Sequence, residues 1–169
     1  MLNPVLSNLS LTIEQIKNIE TELNKTISGK EKNMLVLLVE NSGQIIATNG
    51  KNTRDYDLSS IAALSVASFE STKGLAKVMG QTFKYVFNQG TTSNLFITRA
   101  NEQTLLVIDY DPHIPIQEVH EVVANFGNEL NKLSKDWSVI DKNKVQPGHG
   151  PLKNDNLNND IDDMFGALG

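Results

Sequence analysis

Cysteine is absent from the 169 residues. That removes any disulfide framework and any thiolate zinc site, and makes a reducing cytoplasm the expected setting. Arginine is nearly absent too, with Arg54 and Arg99 against 13 lysines scattered along the chain, and the net charge is -5. A chain of that charge repels phosphate backbones unless its cations cluster, so nucleic acid is not an expected partner. Long apolar runs are missing as well. The longest uncharged helical stretch, residues 58–69, is rich in Ser and Ala and falls well short of the roughly 20 apolar residues of a membrane span. The start, "MLNPVLSNLSLTIEQ", has neither a basic leader nor an unbroken apolar segment, so no signal peptide is expected.

The signatures of nucleotide and metal chemistry are also lacking. Neither G-x-x-x-x-G-K-[ST] nor G-x-G-x-x-G occurs, and the Lys and Gly of "STKGLAKVMG" fall inside a helical stretch whose amides are already bonded. His113, His120 and His149 are spread over a loop, a helix and a polar tail, without the paired spacing that zinc requires. Asp109 and Asp111, two apart at the end of a strand pattern, point to one face. Paired carboxylates can do acid–base work, but no His, Lys or Tyr converges on them in the sequence, and a loop-start or capping role is the simpler expectation. No catalytic residue, cofactor or metal is expected.

What is present reads as one domain of roughly 100–150 residues plus tails. Thr12-Ile13-Glu14-Gln15 is a capping box. It opens a helix to about Ile27 with Ile13, Ile16, Leu23 and Ile27 on a stripe. "MLVLLVE" reads as a central strand covered on both faces. Asn41-Ser42-Gly43 then supplies a tight turn into a second strand, "QIIAT". Asp57 is the expected N-cap of a second helix, whose stripe Leu58, Ile61, Ser65, Phe69, Thr72, Ala76 and Met79 should lie on the sheet. The opposite face carries Ala63, Ala67, Glu70, Gly74 and Lys77. Such small residues, and the lack of charge before Glu70, imply that something packs against the outer side. Strand patterns start at Phe83, Asn94 and Thr104. A final amphipathic helix begins at Pro115 and carries Ile116, Val119, Val123, Phe126, Leu130 and Leu133 on one stripe.

The order is thus α-β-β-α-β-β-β-α, an α/β sandwich of the α+β type. A five-stranded antiparallel sheet is expected between one helix on one face and two on the other. The expected divisions are an extension over 1–11, the domain over 12–136, a flexible linker over 137–158 and a short acidic amphipathic helix over 159–168. In that last segment Ile161, Met164, Phe165 and Leu168 have the spacing of a helix that docks in a groove.

An arginine inserted into a GTPase can raise its rate by about 10³–10⁵, which makes Arg54, in the loop before the second helix, a candidate finger. Arg99, at a strand end, is expected to pair with Glu102 or Asp109.

"LVLLVENSGQIIATNG", "DLSSIAALSVASFESTKGLAKVMG", "LFITRANEQTLLVIDYD" and the closing "DIDDMFGALG" together resemble the roadblock/LC7 family, with its profilin-like fold. They are most similar to its bacterial members that partner a small Ras-like GTPase. The resemblance implies a cytoplasmic homodimer in which second helices lie side by side and third strands join the sheets. One GTPase would dock on that dimer in a 2:1 complex, its switch regions rearranged for hydrolysis by its own catalytic residues. It further implies a role in cell polarity and motility, at a cell pole. The residues it would place at the GTPase and dimer face are Ala63, Ala67, Glu70, Ser71, Gly74, Lys77 and Val78. Ile161, Met164, Phe165 and Leu168 would form a second GTPase contact. Glu70, Ser71 and Lys73 depart from the small, uncharged residues of that pattern. A dimerisation scaffold or adaptor without effect on GTP turnover is the alternative.

Overall fold

A computed structural model describes residues 9–51 and 55–140; Arg54, His149 and the C-terminal residues Ile161, Met164, Phe165 and Leu168 lie outside them. The elements are β1 (Leu9–Ser10), α1 (Ile13–Thr26), β2 (Met34–Glu40), β3 (Ile45–Gly50), α2 (Leu58–Val78), β4 (Tyr85–Gln89), β5 (Asn94–Arg99), β6 (Thr104–Tyr110), α3 (Ile116–Leu133) and β7 (Ser138–Val139). The five long strands form one antiparallel sheet in the order β3-β2-β6-β5-β4.

Side chains alternate across this sheet, and the alternation divides the core. Val36, Leu38, Phe96 and Ile108 meet Ile19 and Leu23 of α1 and Val119 and Phe126 of α3 on one face. Leu35, Leu37, Val39, Ile97, Leu105 and Val107 meet Ala62 and Phe69 of α2 on the other. The layers are therefore two helices, sheet, one helix. Every residue of β2 is buried, which explains its unbroken apolar sequence.

The capping box forms as its spacing predicts: the Gln15 amide N–H donates to Thr12 Oγ1 at 3.1 Å, and the Thr12 N–H donates to Gln15 Oε1 at 2.7 Å. Ile13, however, is 74% exposed rather than on the core stripe. It precedes the buried Ile19 by six residues, which turns it about 240° around the helix from that face. Met79 is likewise exposed, not seated on the sheet, because α2 ends at Val78 and the chain turns away through Gly80.

The chain also closes on itself. Leu9 pairs with Val139 and Ser10 with Ser138 in a short antiparallel ribbon. Gln15 Nε2 reinforces it by donating to the Asp136 carbonyl at 3.2 Å.

Candidate functional site

The site is built on α2. Its N-cap, Asp57, accepts from the Ser60 amide at 3.0 Å and the Ser60 hydroxyl at 2.6 Å. The Ser60 hydroxyl, then its amide, hold the Asp57 carboxyl below the usual carboxylate range. Ala62, Ser65, Phe69 and Ala76 form the inner, buried face. Leu64, Leu75 and Val78 stand outside it, 69%, 55% and 87% exposed. Around them lie the exposed small residues Ala63, Ala67, Ser71 and Gly74. At about 100° per residue, Leu64, Ser68, Ser71, Leu75 and Val78 occupy an arc of roughly 80° and repeat at the seven-residue spacing of a helix-pairing seam. An apolar helix of this kind is not built to face water.

Beside it, β4 is an edge strand of the sheet. Its sequence, Tyr-Val-Phe-Asn-Gln, holds no proline and no charge, and Tyr85 and Phe87 are 44% and 46% exposed. The devices that normally stop strand-to-strand association are thus missing from it. Between β4 and α2 runs a groove of about 300 Å³, lined by Ile61, Leu64, Ser68, Asn88, Leu95 and Ile97 among others.

The other flank of α2 is occupied by hairpin tips. Gly43, at φ 93°, brings the β2–β3 turn so close that an added Cβ would lie 3.2 Å from Ala63 Cα. Of its expected partners, Arg99 reaches Glu102 only at its main-chain carbonyl, and its ion pair is made elsewhere. Its Nη2 lies 3.3 Å from Glu70 Oε1, its Nη1 donates to the main-chain carbonyl of Glu102 at 3.0 Å, and its guanidinium sits 5.4 Å from the Phe69 ring centre. The partner lies across the fold on α2, beyond the reach of local spacing. Lys73 shares the same Glu70 carboxylate at 3.0 Å.

Asp109 and Asp111 are brought together, but around one lysine: Lys51 Nζ is 2.8 Å from Asp109 and 3.5 Å from Asp111. Burial pulls the Lys51 pKa down, but the Asp109 hydrogen bond and the neighbouring charges outweigh it, leaving the value raised. Lys51 thereby clamps the end of β3 to the end of β6. His120 packs edge-on against Tyr85 and Phe96, with centroids at 5.6 and 5.3 Å. Among the described residues no group of three His, Cys, Asp or Glu is placed to hold a metal, and no helix is long and apolar enough to cross a membrane.

Sequence reasoning therefore singled out Ala63, Ala67, Glu70, Ser71, Gly74, Lys77 and Val78, all exposed on α2, but missed Leu64, Leu75, Tyr85 and Phe87. The seven-residue spacing of Leu64, Ser71 and Val78 and the uncharged β4 were the available signals.

The architecture is the roadblock/LC7 fold, and residues 34–109 match the model of the Roadblock/LC7 domain. Among solved structures the chain is similar to the gliding protein MglB of Thermus thermophilus, with a TM-score of 0.67 at 23% identity over 76% of this chain and 97% of that one. It is similar also to Myxococcus xanthus MglB, with a TM-score of 0.63 at 22% identity over 74% and 96%. The Roadblock/LC7 domain from Streptomyces avermitilis follows at 0.56, with 14% identity over 68% and 92%. No curated protein matches the chain by sequence.

Proposed function

We propose that this chain is a homodimeric regulator of a small Ras-like GTPase of the MglA type, and that it stimulates GTP hydrolysis by rearranging the GTPase switch regions. The observation that carries the reading is α2, apolar on its outer side as well as its inner one, beside an unprotected edge strand. A second copy accounts for both. With two α2 helices antiparallel about an axis at Ser71, Leu64 faces Val78 of the other copy and Leu75 faces Ala67, large against small. The same axis brings the β4 edges together and extends the sheet. The likeness in fold to MglB supports the assignment.

On this reading the chain supplies no acid or base. Its contribution is positioning: fixing the switch regions so that the GTPase's own residues align water and phosphate, which by itself can lower a barrier substantially. The remaining crest of the two helices, at Ala63 and Gly74, receives the GTPase. The segment with Ile161, Met164, Phe165 and Leu168 makes a second contact, and Phe165→Ala is expected to cost about 2 kcal/mol of binding, a hot-spot magnitude.

The test is single-turnover GTP hydrolysis by the organism's MglA-type GTPase at increasing amounts of this chain. The expected result is an acceleration that saturates near two chains per GTPase and disappears with Gly74→Arg. Binding without acceleration replaces the activator with an adaptor that leaves turnover unchanged.

A further inference from the structure

The charges of α2 are confined to its second half and to one side. Leu58–Phe69 carries none; then come Glu70, Lys73 and Lys77, which fall within an arc of about 60°. Arg99 joins them from the end of β5. Three cations thus face one carboxylate. Glu70 is shared between Lys73 at 3.0 Å and Arg99 at 3.3 Å, and Lys77 has no ion-pair partner among the described residues. Glu102, the next acid along the chain, meets Arg99 only through its main-chain carbonyl.

This concentration of positive charge is out of keeping with a chain of net charge -5. The C-terminal dipole of α2 favours a cation at Lys77. It does not account for Lys73 and Arg99 on the same side, one held by Glu70 and the other by Glu70 and the Phe69 ring. The cluster borders the crest of Ala63 and Gly74 and lies about 100° or more around the helix from the Leu64–Leu75 seam, so a second copy on the seam leaves it open.

We propose that Lys73, Lys77 and Arg99 form a docking site for an acidic protein surface, with Glu70 as the resident carboxylate that a partner's carboxylates supplement. Resting on the regulator reading above, this names the chemistry of the GTPase face that α2 receives: it is rich in Asp and Glu. Pairing at exposed sites is modest per contact but additive in sign. Neighbouring substitutions should therefore act in opposite directions. Glu70→Gln frees two cations, whereas Lys73→Glu with Lys77→Glu replaces attraction by repulsion.

The experiment measures affinity of the full chain for the GTP-loaded GTPase at about 0.1 M and about 1 M salt, between which the Debye length falls from ~10 to ~3 Å. At the lower salt the double reversal is expected to weaken binding about tenfold and Glu70→Gln to tighten it about threefold; both differences vanish at the higher salt. A double reversal without effect, while Gly74→Arg still blocks binding, overturns the acidic-surface proposal and leaves the regulator reading intact. Weakening by Glu70→Gln overturns it too, assigning Glu70 to holding Arg99 in place. Unchanged dimer mass and melting of each variant guard against a folding artefact. A second probe does not depend on the GTPase: an oligoglutamate peptide should shift the amide resonances of Gly74–Val78 and Arg99 in the wild-type chain. Absence of those shifts overturns the proposal whatever the GTPase does.

Discussion

Gly43 shows how a single residue connects two parts of the fold. The turn it closes needs a positive φ, and the hydrogen in place of a side chain lets the backbone approach Ala63. The hairpin tip is thereby an abutment for α2 and not only a link between strands. Gly43→Ala meets both obstacles at once, and is expected to destabilise the fold by about 1–3 kcal/mol, measured as a lowered denaturation midpoint with an unchanged slope. Gly74 is the opposite case: a Cβ there meets nothing within 4 Å, and a helix-interior glycine costs about 1 kcal/mol relative to alanine. Gly74→Ala should raise stability by that amount, seen in the same melts. The loss of GTPase stimulation expected of Gly74→Arg is then attributable to surface, not to folding.

At the scale of the element, α2 depends on its first turn. Because the folded Asp57 carboxyl titrates below its ordinary value, the cap's contribution is complete above the ordinary carboxylate range and is lost as pH falls through the lowered folded value. Amide exchange in the first turn of α2 is expected to lose protection on acidification, while Asp57→Asn, a cap that does not titrate, keeps it. An equal acid response in both variants would show that some other group opens the helix end.

The cap was legible in the sequence, like the capping box of α1, the turn at Gly43 and the continuous burial of β2, because each rests on residues within a few positions of one another. What was not legible depends on distant partners. Arg99 pairs with the carboxylate of Glu70, and not with that of Glu102 or Asp109, because α2 crosses the sheet beside the end of β5. Lys51 finds Asp109 and Asp111 because the ends of β3 and β6 flank the same end of β2. Exposure was the other blind spot: the stripe of Phe69 and Ala76 already turns Leu64 and Leu75 away from the sheet, but only the structure shows that no other described element covers them.

For the whole molecule, the seam and the bare β4 edge lie on the same side, so one symmetry axis can satisfy both. A chain without cysteine makes this directly measurable. Ser71→Cys should form an intermolecular disulfide rapidly on mild oxidation, because the proposed axis would bring the two thiols together, whereas Gln117→Cys, on the opposite helical layer, should not. Equal rates at the two positions would place the axis elsewhere. Leu64→Glu is expected to shift the mass toward monomer at micromolar concentration, as a buried charge does in an apolar seam.

The ribbon that joins Leu9 to Val139 has a mechanical consequence. The two strands are antiparallel, and the domain's chain enters at Leu9 and leaves at Val139, from the same end of the ribbon. A pull applied between those two points opens it as a zipper, one pair at a time, instead of shearing all its bonds together. The main sheet would feel the load only after the ribbon has parted, which makes the Leu9–Val139 junction the weak link of the domain under tension.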